Sequence, residues 1–394
     1  MIDIREARRL VMEAVRKTAV TSVPLSNATG RWNAEEIPSP HDHPLFDMSA
    51  VDGYAFAWNE GRTDFVVAGE VAAGSVLPRA LTAGECARIF TGAQIPEGAD
   101  TVVMQEYVQR SGDRLAHNDK RLKRGGNVRK RGEQLCAGEL LLGAGTLLDA
   151  PAIGLLASAG IENVNVHERP CVNVVRTGGE FRSGPSPEPG TIFSSNDSML
   201  VSALAEIGIA PSDPVFTPID EAAALRSSFE TAIAGCDVLI STGGVSVGDH
   251  DLVRTTLESL GAEIIFHGVR QKPGKPMLFA RLGHTLIFAL PGNPRAVMVG
   301  WWAYVLPLLR AMQGSCAPLL REEILPLAEP IEVKGDRAEF RAATVRNGVV
   351  TLLLEEGSHM LRTLLAANAL AVIEPTDEGS SKRTSVTVQY LPGR

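Results

Sequence analysis

Apolar positions change their period several times along the 394 residues. In "MIDIREARRLVMEAV" they recur three and four apart between acids and arginines, the spacing of an amphipathic helix over residues 3–17. From 44 to 132 short alternating runs such as "DFVVAGEVAAGSV" and "DTVVMQEYVQ" stand between glycines, the texture of β-strands joined by tight turns. "APAIGLLASAGI" (150–161) predicts a helix with Pro151 near its start, where a proline is tolerated.

Beyond Pro170 strand and helix patterns alternate. "CVNVVRTG" predicts a strand and "NDSMLVSALAEIG" a helix capped near Asn196. "AAALRSSFETAIAG", "CDVLIST", "LVRTTLESLG", "EIIFHGV" and "HTLIFALPG" follow as helix, strand, helix, strand and strand, and "RAVMVGWWAYVLPLLRAM" as one long helix. Such alternation predicts a mostly parallel sheet with helices on both faces. Ligands of such sheets sit beyond the C-terminal strand ends, which sets "TGGE" (177–180), "TGGVSVG" (242–248) and "LPGNP" (290–294) on one rim. After Ala317, "ILPLAEPIEVKG", "EFRAATVRNGVVTLLLEE" and "RTSVTVQYLPG" read as a small all-β module.

Length predicts about two to four domains. A net charge of −8 argues against general binding to nucleic acid or acidic membrane. The longest apolar run, 296–309, is shorter than the roughly 20 residues that span a bilayer. Five scattered cysteines without C-x-x-C spacing suit reduced thiols, and no leader pattern opens the chain, so a soluble cytoplasmic protein is expected.

The loop "STGGVSVGDHD" (241–251) leaves an apolar strand through bare backbone. Its N–H groups suit an anion, while Asp249 and Asp251 suit Mg²⁺ or a helix cap. "QKPGKPM" (271–277) is a stiff turn with two cations, Lys272 and Lys275. "LPGNPRAV" ends a strand with Pro291 and Asn293 and places Pro294 for a first helical turn. "FDMSAVDGYAF" brings Asp47 and Asp52, "RIFTGAQIPEGAD" brings Thr91, and "KRLKRGGNVRKRGEQ" packs seven cations around a Gly-Gly turn. No aromatic residues interleave with them for base stacking, and His250 reads as a plain loop residue. Arg341 in "AEFRAATV" and Ser358 after Gly357 offer a fork and a hydroxyl to a tetrahedral oxyanion.

In this order the motifs "FDMSAVDGYA", "RIFTGAQIPEGADTVVMQE", "GGNVRKRGE", "GTIFSSN", "STGGVSVGDHD", "KPGKP", "LPGNP", "EFRA" and "GSHML" resemble the molybdopterin molybdotransferase family, the MoeA and gephyrin E-domain type. The resemblance covers nearly the whole chain. It implies a multidomain α/β protein with a dimerising segment (1–43 and 133–168), an inserted β-rich domain (44–132), a MogA-like α/β domain (169–316) and a C-terminal β-barrel (317–394). It implies conversion of adenylyl-molybdopterin and molybdate to molybdenum cofactor and AMP by a Mg²⁺-dependent homodimer. A MogA-type adenylyltransferase and molybdoenzymes would be its partners.

Carried over residue by residue, the resemblance assigns catalytic roles to Asp52, Thr91, Glu180, Asp220, Asp251, Lys272 and Lys275. Arg129, Gly243, Gly244, Ser246, Gly248, Pro291, Asn293, Pro294, Arg341 and Ser358 would bind substrate, and Asp251 with Asp249 would hold Mg²⁺. Asp52, Thr91 and the basic arm would reach the site from the second subunit. The chain departs from the pattern at Gln134 and Gly179, where acids are usual, and at Ala296, where serine is common. Those departures keep open a tungstate-preferring insertase, or a non-catalytic paralogue that binds the precursor or serves as a scaffold. A MogA- or CinA-type role fits the central segment but leaves the flanking motifs unused.

Overall fold

The computed structural model describes residues 1–181, 186, 189–211, 215–216, 221–245, 252–354, 357, 359–375 and 380–394. They form two compact units. One holds Met1–Ala34, Ala144–Asp149 and Val164–Arg394, the other Glu35–Gly143 and Ala150–Asn163. Among the described residues no helix is long and apolar enough to cross a membrane.

Helix α1 (Ile4–Glu13) starts where the Asp3 carboxylate accepts from the Glu6 N–H, satisfying a donor that the helix itself leaves open. Its stripe Ile4, Ala7, Val11 is buried, while Arg9 pairs with Glu6 and Glu13 on the wet side.

The second unit is built on a six-stranded sheet. Its strands are β1 (Gly53–Phe56), β2 (Asp64–Val71), β3 (Glu85–Ile89), β4 (Thr101–Met104), β5 (Val108–Ser111) and β6 (Arg114–His117), in the order β4-β1-β3-β2-β6-β5. Only β2–β3 is parallel. Gly53 is required by close approach, since a Cβ there would lie 1.9 Å from the Val103 carbonyl oxygen. Helix α2 (Ala150–Ser158) belongs to the same unit.

The larger unit carries an α/β sheet. Its strands β7 (Val172–Arg176), β8 (Val238–Thr242), β9 (Glu263–His267), β11 (Leu278–Leu282) and β12 (Thr285–Leu290) lie in the order β7-β8-β12-β11-β9, and the two-residue strand β10 (Gln271–Lys272) lies outside this sheet. Successive residues of β8 and β12 face opposite ways, and both strands are buried throughout. Val238, Ile240, Leu286 and Phe288 pack with α1 and α3 (Asn196–Glu206), while Leu239, Ile287 and Ala289 pack with α4 (Ala222–Ile233) and α5 (Leu252–Ser259). Each fully buried Leu, Ile or Phe contributes about 1.5–3 kcal/mol.

Among its five described strands the sheet is parallel across β7, β8 and β12, and an isolated parallel bridge joins Val175 of β7 to Phe216. β11 runs antiparallel to β12 because Gly283 and His284 alone join them, and a parallel return needs a crossover of about a dozen residues. β9 is antiparallel to β11. The long helix expected over 295–312 is interrupted. α6 (Pro294–Gly300) widens into a π-helical turn over Trp301–Val305 before α7 (Leu306–Met312). Pro307 explains the break: it has no N–H to donate and its ring crowds the carbonyl one turn earlier.

The C-terminal strands are β13 (Glu322–Lys334), β14 (Ala338–Arg346), β15 (Val349–Leu352), β16 (Ala369–Ile373) and β17 (Ser380–Tyr390). They run β14-β15-β13-β17-β16, and pairing of β16 back onto β14 closes a five-stranded barrel around Leu325, Val350, Ala371 and Val388. A short helix, α8 (Arg362–Ala366), precedes β16. β10 pairs in parallel with β14 and ties the "KPGKP" turn to the barrel.

Candidate functional site

In the larger unit three strand ends meet as the alternation predicts. Thr242 at the end of β8 stands opposite Arg176 of β7 and Leu290 of β12. The Thr177 N–H donates to the Thr242 carbonyl at 3.0 Å and the Gly243 N–H to that of Leu290 at 3.2 Å. Gly243 and Gly244 have φ of +89° and +65°. A Cβ on Gly243 would lie 2.6 Å from the Thr177 carbonyl oxygen, and one on Gly244 would lie 2.8 Å from the Thr177 hydroxyl. Both glycines are therefore already demanded by packing against the neighbouring strand end.

Asn196 does not cap α3. The residue at the cap position is Ser195, and the Asn196 side chain is buried at 3% exposure. Its amide nitrogen donates to the Thr242 hydroxyl at 2.9 Å and to the Gly292 carbonyl at 2.7 Å, while the Thr242 hydroxyl donates onward to the Pro291 carbonyl at 3.3 Å. One asparagine thus binds the ends of β8 and β12 to the start of α3. The adjacent Asp197 pairs with Arg176 at 3.0 Å, and the Arg176 guanidinium lies 5.0 Å from the centre of the Phe181 ring.

Glu180 and Gly179 are exposed at the end of β7. Pro291 is buried, whereas Asn293 is exposed and its side chain makes no capping bond to α6, which begins at Pro294. Ala296 is buried against the "KPG" turn, its methyl 3.9 Å from where a Cβ of Gly274 would stand. Buried Gln271 shapes that turn by donating to the Pro273 carbonyl at 3.0 Å and accepting from the Tyr304 hydroxyl. Burial pushes the Tyr304 phenol well above its ordinary range, so it remains a donor.

Lys272 is exposed and Lys275 half-buried. The β10–β14 register sets Lys272 opposite Glu339, and Glu339 shares a strand face with Arg341 two residues on. The Glu339 carboxylate lies 3.2 Å from the Lys272 ammonium and 3.2 Å from Arg341 Nε. Sequence reasoning passed over Asn196 as a cap and did not single out Gln271 or Glu339. The signal for Glu339 was present in "EFR", where alternation puts the acid and the arginine on one face.

In the second unit three distant motifs converge. Arg129 pairs with Met48 and Val128 with Ser49, while the Gly92 N–H donates to the Ser49 carbonyl at 2.9 Å. Asp52 accepts from both the N–H and the hydroxyl of Thr91, each at 2.8 Å. Those bonds, with Arg88 nearby, hold its carboxyl below the usual carboxylate range. For Asp47 burial acts upward, but Lys130 at 2.7 Å and the Arg131 N–H at 2.8 Å leave the carboxyl net lowered.

The basic arm is less free than its composition suggests. Lys130 pairs with Asp47, Arg131 with Asp42 and Arg124 with Asp100. Arg129 is exposed and, with His43, Phe46 and Gln134, lines a hollow of about 360 Å³.

Asp220, Ser246, Gly248, Asp249, Asp251 and Ser358 lie outside the described residues. Among the described residues no group of three or more His, Cys, Asp or Glu side chains is placed to hold a metal.

Residues 2–160 match the family described as the MoeA N-terminal region, domains I and II, and 173–311 a probable molybdopterin binding domain. Residues 325–391 match the MoeA C-terminal region, domain IV. The molybdopterin molybdenumtransferase of Bacillus subtilis is 35% identical over 99% of this chain and 94% of its own length. That of a Nostoc species is 34% identical over 100% and 94%. The crystal structure of the molybdopterin biosynthesis MoeA protein from Pyrococcus horikoshii superposes with a TM-score of 0.83 at 30% identity, over 99% of this chain and 100% of that one. The chain belongs to the MoeA family of molybdopterin molybdenumtransferases.

Proposed function

We propose that this chain is a molybdenum insertase acting on adenylyl-molybdopterin and molybdate, with molybdenum cofactor and AMP as products. The observation that carries the reading is the convergence of Lys272 and Arg341 on the Glu339 carboxylate at the barrel, where the "KPGKP" turn is fixed by strand pairing. Two cations held by backbone rather than by loose loops suit a tetrahedral dianion, because little freedom is lost when it binds. The strand-end rim at Thr177, Thr242 and Pro291, tied by Asn196, would carry the pterin phosphate side of the substrate. Exposed Asn293 offers it an amide.

The chemistry needs no thiol from the protein. Water attacks the phosphoanhydride and AMP leaves, while the substrate's two dithiolene thiols replace two oxo ligands of molybdate, which depart as water with the thiol protons and two protons from solution, so molybdenum keeps its oxidation state. The chain's residues would hold the anion, align it with the sulfurs and offset charge on the phosphates. Mg²⁺ is part of the proposal, with Asp251 and Asp249 as its expected ligands. So is a homodimer in which Asp52, Thr91 and Arg129 complete the site of the other subunit, in a cytoplasmic setting that keeps the thiols reduced. Full-length membership of a transferase family does not favour the scaffold reading.

The test is AMP release from adenylyl-molybdopterin by the purified chain with Mg²⁺ and titrated molybdate. Release that rises and saturates with molybdate is expected. Tight binding of the nucleotide without AMP release at any molybdate concentration would replace the insertase with a precursor-binding protein.

A further inference from the structure

Lys272 and Arg341 share a counter-ion within the protein. Glu339 places Oε1 3.2 Å from Lys272 Nζ and Oε2 3.2 Å from Arg341 Nε, and its side chain is only 23% exposed. Lone surface ion pairs contribute little and adopt many geometries. This one differs because the backbone fixes all three groups. Lys272 sits opposite Glu339 in the β10–β14 ladder, the Ala338 N–H donates to the Arg270 carbonyl at 3.1 Å, and Arg341 follows on the same face of β14. One carboxylate oxygen per cation is also how a tetrahedral oxyanion would bridge the pair.

We propose that Glu339 is a positioning residue that stands in for the oxyanion. It holds Lys272 and Arg341 on the two oxygens of one carboxylate and must be displaced or repelled as the anion binds. The inference rests on the reading that these two cations receive the oxyanion. Its consequence is a charge rule. The Glu339 carboxylate adds one negative charge beside the two cations, and that charge repels a dianion twice as strongly as a monoanion of the same shape. Glu339 therefore weakens molybdate binding, keeps the site reversible and limits its preference for dianions over monoanions of the same shape. Coulomb's law over about 6 Å, at a water-like effective dielectric, gives about a ten-fold effect on a dianion and about the square root of that on a monoanion.

The experiment is equilibrium dialysis of the full chain against molybdate and, separately, against perrhenate, a tetrahedral monoanion, with bound metal measured by mass spectrometry. Glu339→Gln is expected to bind molybdate about ten-fold more tightly than the unmodified chain and to gain about three-fold for perrhenate. Glu339→Asp, which keeps the charge, stays within about two-fold for both. A merely structural role would make Glu339→Gln bind more weakly, and that result, or no change, overturns the proposal. Lys272→Gln and Arg341→Gln separate the two readings. If both lose molybdate while Glu339→Gln is unchanged, the oxyanion site stands and only the counter-ion role falls. If both bind molybdate as the unmodified chain does, the oxyanion sits elsewhere and the functional reading falls with it.

Discussion

Asn196 distinguishes two physical roles that a single substitution separates. At a helix N-cap, asparagine and aspartate are nearly equivalent, because either side-chain oxygen accepts from the first turn. Asn196 instead donates, and both partners of its nitrogen are oxygens: the Thr242 hydroxyl at 2.9 Å and the Gly292 carbonyl at 2.7 Å. A carbonyl can only accept, so Asn196→Asp removes a donor and sets a carboxylate against Gly292. Two lost hydrogen bonds at about 1 kcal/mol each, with a further penalty of about 1 kcal/mol for opposed acceptors in a buried site, give about 3 kcal/mol of destabilisation. Asn196→Ala avoids the opposition and should cost about 2 kcal/mol. Ser195→Ala, at the position that makes no side-chain cap bond, should change stability by less than about 0.5 kcal/mol.

The assay is urea unfolding followed by tryptophan fluorescence in a Trp58→Phe background. The remaining tryptophans, Trp32, Trp301 and Trp302, all report on the unit that holds Asn196. If Asn196→Asp unfolds within about 0.5 kcal/mol of its parent, Asn196 is a cap after all and the cross-link between strand ends carries no weight.

Gly243→Ala forces a φ of +89° on a residue with a Cβ and drives that Cβ to 2.6 Å from the Thr177 carbonyl oxygen, so about 3 kcal/mol of stability should be lost. An unchanged thermal midpoint would show that the strand ends can part freely. The Asp52 carboxyl, lowered by its two bonds from Thr91, contributes stability that is fully present above the unfolded value of about 3.9 and is lost as pH falls through the lower folded value. Carbon-detected NMR titration should place its midpoint below that of a free aspartate and move it upward in Thr91→Val, and no movement would assign the shift to another group. Thiol labelling should modify exposed Cys136 and Cys316 in the native chain. Cys86, buried and pushed up to about 12, should label only after unfolding. Rapid native labelling of Cys86 would mean that the β1–β3 sheet opens readily.

Much of this protein was legible as pattern. Periods of two and 3.6 located the strand–helix alternation after Pro170, and that alternation alone set the ends of β7, β8 and β12 on one rim. The ordered motifs, above all "STGGVSVGDHD", "KPGKP" and "LPGNP", carried the family. What pattern could not decide is how strands follow one another when the turn is short. Nothing periodic distinguishes a parallel return from the hairpin at Gly283–His284, so the sheet proved mixed. Nor does an apolar run announce that Pro307 will open a π-helical turn that brings Tyr304 to Gln271.

The site divides along the same line. Sequence by itself determined which residue types are available to the proposed site, because lysines, arginines and glycines in fixed local spacing are local properties of the chain. Only the tertiary structure decided which of them are already engaged. Lys130, Arg131 and Arg124 are taken up by acids 83, 89 and 24 positions away, and Asn196 reaches residues 46 and 96 positions along the chain. Glu339 meets Lys272 because a two-residue strand joins the barrel edge. Pairing across such separations depends on register and packing of the whole unit, and no window of sequence contains both partners.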